Sequence, residues 1–234
     1  GPSLADFMAG QFATAGILAA LYERDTFSGE GQHIDIALLD CTIAAQSHYV
    51  STYLATGVVP QRRGTEGNGG IPSQAFPCAD RSIVVICGSE AQYRDFCRVL
   101  RHPELADDPR FASNADRLAH RRELAETFGA LTREWQSDEL LAELERAGIP
   151  AGPINTYPEV FADPQVLHRG LTLEAEHPQA GKVKFCASPI RFTGVEPPPP
   201  MAPPVLGQHT DEVLREVLGL DPAQIAQLRE QKAI

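Results

Sequence analysis

Small and apolar side chains run from Phe7 to Tyr22 without a single charge among them. Ala5-Asp6 ahead of the run supplies an N-cap, and the pattern predicts a buried helix to about Arg24. The run contains Gly10, Gln11 and Gly16 and falls short of the ~20 apolar residues that a membrane span needs. No basic segment precedes it, so it does not read as a secretory leader. Ser28–Gly31 is a turn, and His33–Leu38 alternates like a short strand. A second helix is expected from Asp40 to about Ala55, its aspartate at the positive end of the dipole.

Glycine and proline then break the chain from 57 to 77, with Gly57, Pro60, Gly64 and the Gly67-Asn68-Gly69-Gly70 cluster, and a domain crossing is expected there. The unbroken apolar run Ile83–Cys87 predicts a strand buried on both faces. Helices follow over Ala91 to about Arg101 and Asn114 to about Thr132, the latter with a Leu118, Leu124, Phe128, Leu131 stripe. Ser137 caps a third, which ends at Gly148 and Pro150. Leu171–Glu176 and Lys182–Cys186 alternate around a turn and predict a hairpin. Pro197–Pro200 is an extended connector. Thr210 caps a helix that ends at Gly219, and Asp221-Pro222-Ala223-Gln224 opens the last one with a capping box. The pattern is mixed α/β. Its expected units are 1–62, then 63–170 with a smaller α/β domain, then 171–234 with hairpin, connector and returning helices.

The charge sum, 20 − 31 = −11 over 234 residues with 43% hydrophobic content, excludes a disordered chain. It also argues against nucleic-acid binding, which needs lysine and arginine to neutralise phosphates. Five cysteines without a CxxC pair exclude a complete disulfide framework and read as free thiols in a reducing cytoplasm. Neither HxH nor HExxH occurs, so metal ligation has no support, and no GxSxG elbow is present. Taken alone, the Gly67–Gly70 cluster is a flexible crossover, being neither a Walker loop nor GxGxxG. Asp6 alone is an N-cap or dipole-stabilising aspartate; partly desolvated, the same carboxylate is a nucleophile or general base.

The order of several motifs changes that picture. Ala5-Asp6-Phe7-Met8-Ala9-Gly10, the Gly16–Arg24 run and Ser28–Asp40 closely resemble the class III CoA-transferases, the group of carnitine CoA-transferase, bile-acid-inducible proteins and formyl-CoA transferase. The likeness continues through Ser73–Pro77, Leu105–Phe111, Ala147–Asn155, Ser188–Arg191 and Leu206–Asp211, and so covers essentially the whole chain. The resemblance implies part of a Rossmann-like large domain plus a smaller α/β domain, with a further N-terminal portion as partner. It implies Asp6 as nucleophile, forming an acyl anhydride and then an aspartyl-CoA thioester. It puts Leu38 against CoA and makes Gly67, Asn68, Gly69 and Gly70 a mobile substrate loop. The substrates it implies are an acyl-CoA and a carboxylic acid, with no tightly bound cofactor, no metal, and neither nucleic acid nor membrane as partner. An interlocked cytoplasmic homodimer is the expected assembly. The alternatives are an α-methylacyl-CoA racemase, whose aspartate moves the α-proton of the thioester, and a non-catalytic fragment or dimerisation module.

Overall fold

The computed structural model describes residues 1–67 and 69–234 and divides into two compact units, Gly1–Gly69 and Gly70–Ile234. Unit 1 is helical. Helix α1 spans Leu4–Glu23 and passes directly into a π-helical turn, Arg24–Ser28, closed by Gly29 in the left-handed region. Asp6 lies inside the first turn and not at the cap, because helical geometry already begins at Leu4 with Ser3 outside it. With the π turn included, Leu4–Ser28 is long and apolar enough to cross a membrane by length and composition, which corrects the shorter estimate made from the apolar run alone. A helix that is apolar all round belongs in the interior of a larger protein as readily as in a bilayer.

The expected strand at His33–Leu38 forms no ladder: 33–37 belong to neither helix nor strand, and Leu38 already begins the next helix. Its alternation is real, but no strand among the described residues lies beside it to accept its hydrogen bonds. It runs along α1 instead, with Ile34 against Gly16. The second predicted helix is two: α2 (Leu38–Ala45) and α3 (Ser47–Thr56), broken at Gln46. Among the described residues of unit 1, Cys41 alone is buried.

Unit 2 carries the core. Strands β1 (Ser73–Pro77), β2 (Ser82–Ile86) and β3 (Ala151–Pro153) form an antiparallel sheet in that order, registered by Ala75 opposite Val84 and Val84 opposite Gly152. β2 is central but not buried on both faces. Ile83 and Val85 point into the core while Ile86 is exposed, since helices cover only one side of the sheet. Those helices are α4 (Glu90–Val99), α5 (Asn114–Ala119), α6 (Arg121–Thr132) and α7 (Ser137–Arg146). The predicted 114–132 helix is thus broken at His120, which turns Leu118 out to solvent while Leu124 and Phe128 stay buried. Phe76, Tyr93 and Phe96 close around Phe128, the nearest pair of rings 4.9 Å apart.

Asp80, in the β1–β2 turn, supplies the cap that the sequence assigned to Ser137. Its carboxylate accepts from the Ser137 amide (2.8 Å) and hydroxyl (2.7 Å), and these bonds hold its pKa below the usual carboxylate range. Helices α8 (Tyr157–Ala162) and α9 (Pro164–His168) lead to the hairpin β4 (Thr172–His177) and β5 (Gly181–Cys186). The exposed proline-rich segment follows, then α10 (Thr210–Glu216) and α11 (Pro222–Glu230). Thr210 is the first residue of α10 rather than its cap, whereas the Asp221/Gln224 capping box on α11 forms as expected.

Candidate functional site

The candidate nucleophile stands at the positive end of α1. Asp6 is exposed and, among the described residues, has no hydrogen-bond or ion-pair partner, so both carboxylate oxygens keep their lone pairs. One turn on is Gly10. Side chains on a helix lean toward its N-terminus, so any larger residue at position 10 would lie back over Asp6. A Cβ placed on Gly10 meets nothing within 4 Å, which leaves the approach to the carboxylate open. The Thr14 hydroxyl donates to the Gly10 carbonyl at 2.8 Å and ties down that turn. The aspartate–glycine spacing is visible in the sequence; its meaning needs the helix.

Leu38 begins α2, which packs on α1, and its side chain is half exposed. Beside the start of α2 is an open hollow of about 190 Å³ lined by Phe12, Asp35, Ala37, Asp40, Cys41 and Ala44. Asp6 and Leu38 belong to the same unit, but neither lines that hollow.

The glycine cluster divides. Asn68 lies outside the described residues. Gly69 has open space around it. Gly70 belongs to unit 2, where an added Cβ would run into the Cys87 carbonyl. The chain is pinned just beyond: the Ile71 amide donates to Asn114 Oδ1 (3.0 Å) and the Cys87 amide to the Pro72 carbonyl (2.8 Å). From Gly70 onward the chain is therefore fixed in unit 2. Gly70→Ala should destabilise unit 2 by about 1–3 kcal/mol, because the obstacle is backbone and cannot rotate aside. Gly69→Ala should stay within about 0.5 kcal/mol, as befits an open surface site. Thermal unfolding of the two variants followed by circular dichroism checks this; equal effects would mean that Gly70 is not wedged.

The Ala147–Asn155 motif has a keeper that sequence pattern did not reveal. Gln92 accepts from the Gly88 amide at 2.8 Å and donates to the Gly148 carbonyl at 3.1 Å. Gly148 turns left-handed (φ 67°), and the Ile86 amide donates to the Pro150 carbonyl, which aligns β3 with β2. Burial pushes the thiols of Cys87 and Cys97 up to about 12 and about 11, so neither is a nucleophile near neutral pH. No group of three His, Cys, Asp or Glu side chains among the described residues is placed to hold a metal ion.

Residues 1–210 match the family model described as CoA-transferase family III. The chain is 36% identical over 228 residues to succinyl-CoA:glutarate CoA-transferase of Homo sapiens, covering 97% of this chain and 52% of that protein. It is 32% identical over 235 residues to succinyl-CoA–D-citramalate CoA-transferase of Chloroflexus aurantiacus, covering 100% of this chain and 58% of the other. The crystal structure of a CAIB/BAIF family protein from Brucella suis superimposes with a TM-score of 0.77 at 36% identity, over 93% of this chain and 56% of that one. The chain spans about half the length of the curated relatives it matches.

Proposed function

Because this chain belongs to CoA-transferase family III, we propose that the protein carrying it transfers CoA from an acyl-CoA to a free dicarboxylate through covalent intermediates on Asp6. The supporting observation is the carboxylate itself: unpartnered, at a helix N-terminus, and uncovered because position 10 is glycine.

The chemistry needs no external acid or base. An Asp6 oxygen attacks the thioester carbonyl, the C–S bond breaks, and CoA leaves as thiolate, giving a mixed anhydride. The thiolate adds to the Asp6 carbonyl and displaces the donor acid as its carboxylate, giving the aspartyl-CoA thioester. The acceptor carboxylate then attacks that carbonyl and expels the thiolate. Attack of the thiolate on the acceptor acyl carbon forms the new thioester and restores Asp6. Each step exchanges one activated carbonyl for another of similar energy, which is the advantage of the covalent route. The glutarate and D-citramalate in the relatives' names support the dicarboxylate class.

Unit 1 by itself leaves α1 apolar on every side, buries little and leaves the 33–37 backbone without a ladder. These features support a further part of the protein packing over it. The test of the reaction uses the full-length protein with succinyl-CoA and isotopically labelled glutarate. Labelled glutaryl-CoA is the expected product by mass spectrometry. Solvent deuterium entering the α-position of the thioester without transfer would favour the racemase reaction instead.

A further inference from the structure

In the proposed sequence of steps Asp6 plays two opposite parts. It is first a nucleophile, attacking through a carboxylate oxygen at the outer tip of its side chain. It is then an electrophile twice over, since the CoA thiolate and later the acceptor carboxylate both add to its carbonyl carbon. An oxygen at the tip is reached from in front, whereas the carbonyl carbon is reached only through one of its faces, closer to the helix. The side chains able to lean over those faces stand three and four positions on, because side chains on a helix incline toward its N-terminus. Here those positions hold Ala9 and Gly10. Thr14, the next side chain along the same row, is tied back to the Gly10 carbonyl by its hydroxyl at 2.8 Å. Glycine inside α1 weakens the helix, where alanine is the better former. Packing does not ask for it: among the described residues, a Cβ at position 10 meets no atom within 4 Å.

We infer that Gly10 is a specificity-determining residue: it opens the Asp6 carbonyl carbon to attack and so directs the intermediate to CoA transfer rather than to hydrolysis. This rests on the CoA-transfer reading above. A side chain at position 10 leaves the first step alone. The Asp6 oxygen still attacks the thioester carbonyl, the C–S bond breaks, and CoA departs as thiolate. The second step is obstructed, because the thiolate has to reach the Asp6 carbon. The mixed anhydride is then left with one open carbonyl, that of the acyl group. Water adds there, the bond to the Asp6 oxygen breaks, and the donor acid leaves as its carboxylate while Asp6 is restored. Of the two protons of that water, one goes to the CoA thiolate and the other to solvent. The net reaction turns acyl-CoA and water into free acid and CoA.

The experiment follows two products of the full-length protein supplied with succinyl-CoA: labelled glutaryl-CoA when labelled glutarate is present, and free CoA thiol when no acceptor is. Glutaryl-CoA formation should fall about 10-fold in Gly10→Ala and about 100-fold in Gly10→Val, the scale of loss when a reacting atom is held off by an ångström. Release of free thiol without acceptor should stay at or above the wild-type rate in both variants. The melting point of Gly10→Ala should be unchanged or higher, since alanine is the better helix former. Equal losses of transfer and thiol release would overturn the inference, as would unaltered transfer in Gly10→Val. A lower melting point of Gly10→Ala would overturn it too, by making Gly10 a packing contact of the whole protein. If the wild-type protein transfers CoA to no acid, or Asp6→Asn transfers normally, it is the transferase reading that has failed.

Discussion

Asp6→Asn in the full-length protein should lower CoA transfer on the order of 10⁴-fold, the scale of loss when a covalent nucleophile is removed. The amide keeps the size and shape of the side chain but has no anionic oxygen to attack the thioester. Folding should be barely affected, since the change forfeits only the charge–dipole term of about 0.3–1 kcal/mol at the first turn. The wild type offers a second readout. Hydroxylamine attacks the activated Asp6 carbonyl of the anhydride or thioester, displaces the leaving group and deposits a hydroxamate. The adduct should map to the Asp6 peptide only when acyl-CoA is present. Near-normal transfer by the Asn variant, or inactivation independent of acyl-CoA, would remove Asp6 from the mechanism.

The largest expected stability effect lies in unit 2, at Arg117. This arginine on α5 is 2% exposed. Its guanidinium lies over the Tyr93 ring at 4.0 Å, donates to both Glu90 oxygens at 2.6 and 3.0 Å, and reaches the Phe111 carbonyl at 2.9 Å. Tyr93 in turn donates to the Leu105 carbonyl. One side chain thus fastens the start of α4, the 103–111 segment and α5. Arg117→Ala leaves a cavity, an unpaired carbonyl and a bare aromatic face together, and should cost about 3–5 kcal/mol. In a unit of this size that is a drop of roughly 10 °C in Tm, read by calorimetry. A shift under about 2 °C would mean that water replaces the guanidinium freely.

The same pair gives the acid limb of stability its sign. The hydrogen bonds from Arg117 lower the Glu90 pKa. The folded protein therefore gives up that proton more readily than the unfolded chain, and the contribution is present above the ordinary glutamate pKa. It is lost as pH falls through the lower, folded value. In the Arg117→Ala variant this part of the acid dependence should disappear.

Elements specified by neighbours in sequence were legible, and those specified at a distance were not. The hairpin follows from alternation on both sides of a turn, and the start of α11 from four consecutive residues. β1 and β3 escaped notice because Ser73–Pro77 and Ala151–Pro153 are small, polar or proline-containing. Such sequences suit edge strands, where the missing proline N–H faces no partner. The cap on α7 comes from Asp80, 57 residues away, which local sequence cannot announce. His33–Leu38 failed the opposite way: the strand pattern is present and the neighbouring strand is not. At the candidate site, Asp6 stood out only through the motif around it, whereas the clearing made by Gly10 follows from side-chain direction on a helix. Arg117 did not stand out in the sequence, since nothing in an i, i+4 pattern distinguishes a buried arginine from a solvated one.

The apolar character of α1 has a consequence of another kind. Leu4, Phe7, Leu18 and Tyr22 are each more than half exposed, while the core cluster lies wholly within 71–149. Substitutions that strengthen that core would raise the melting point of this chain yet leave its tendency to aggregate untouched, because sticky surface and folded core sit in different units. Solubility and thermal stability are separate traits here, and selecting variants for one would not improve the other.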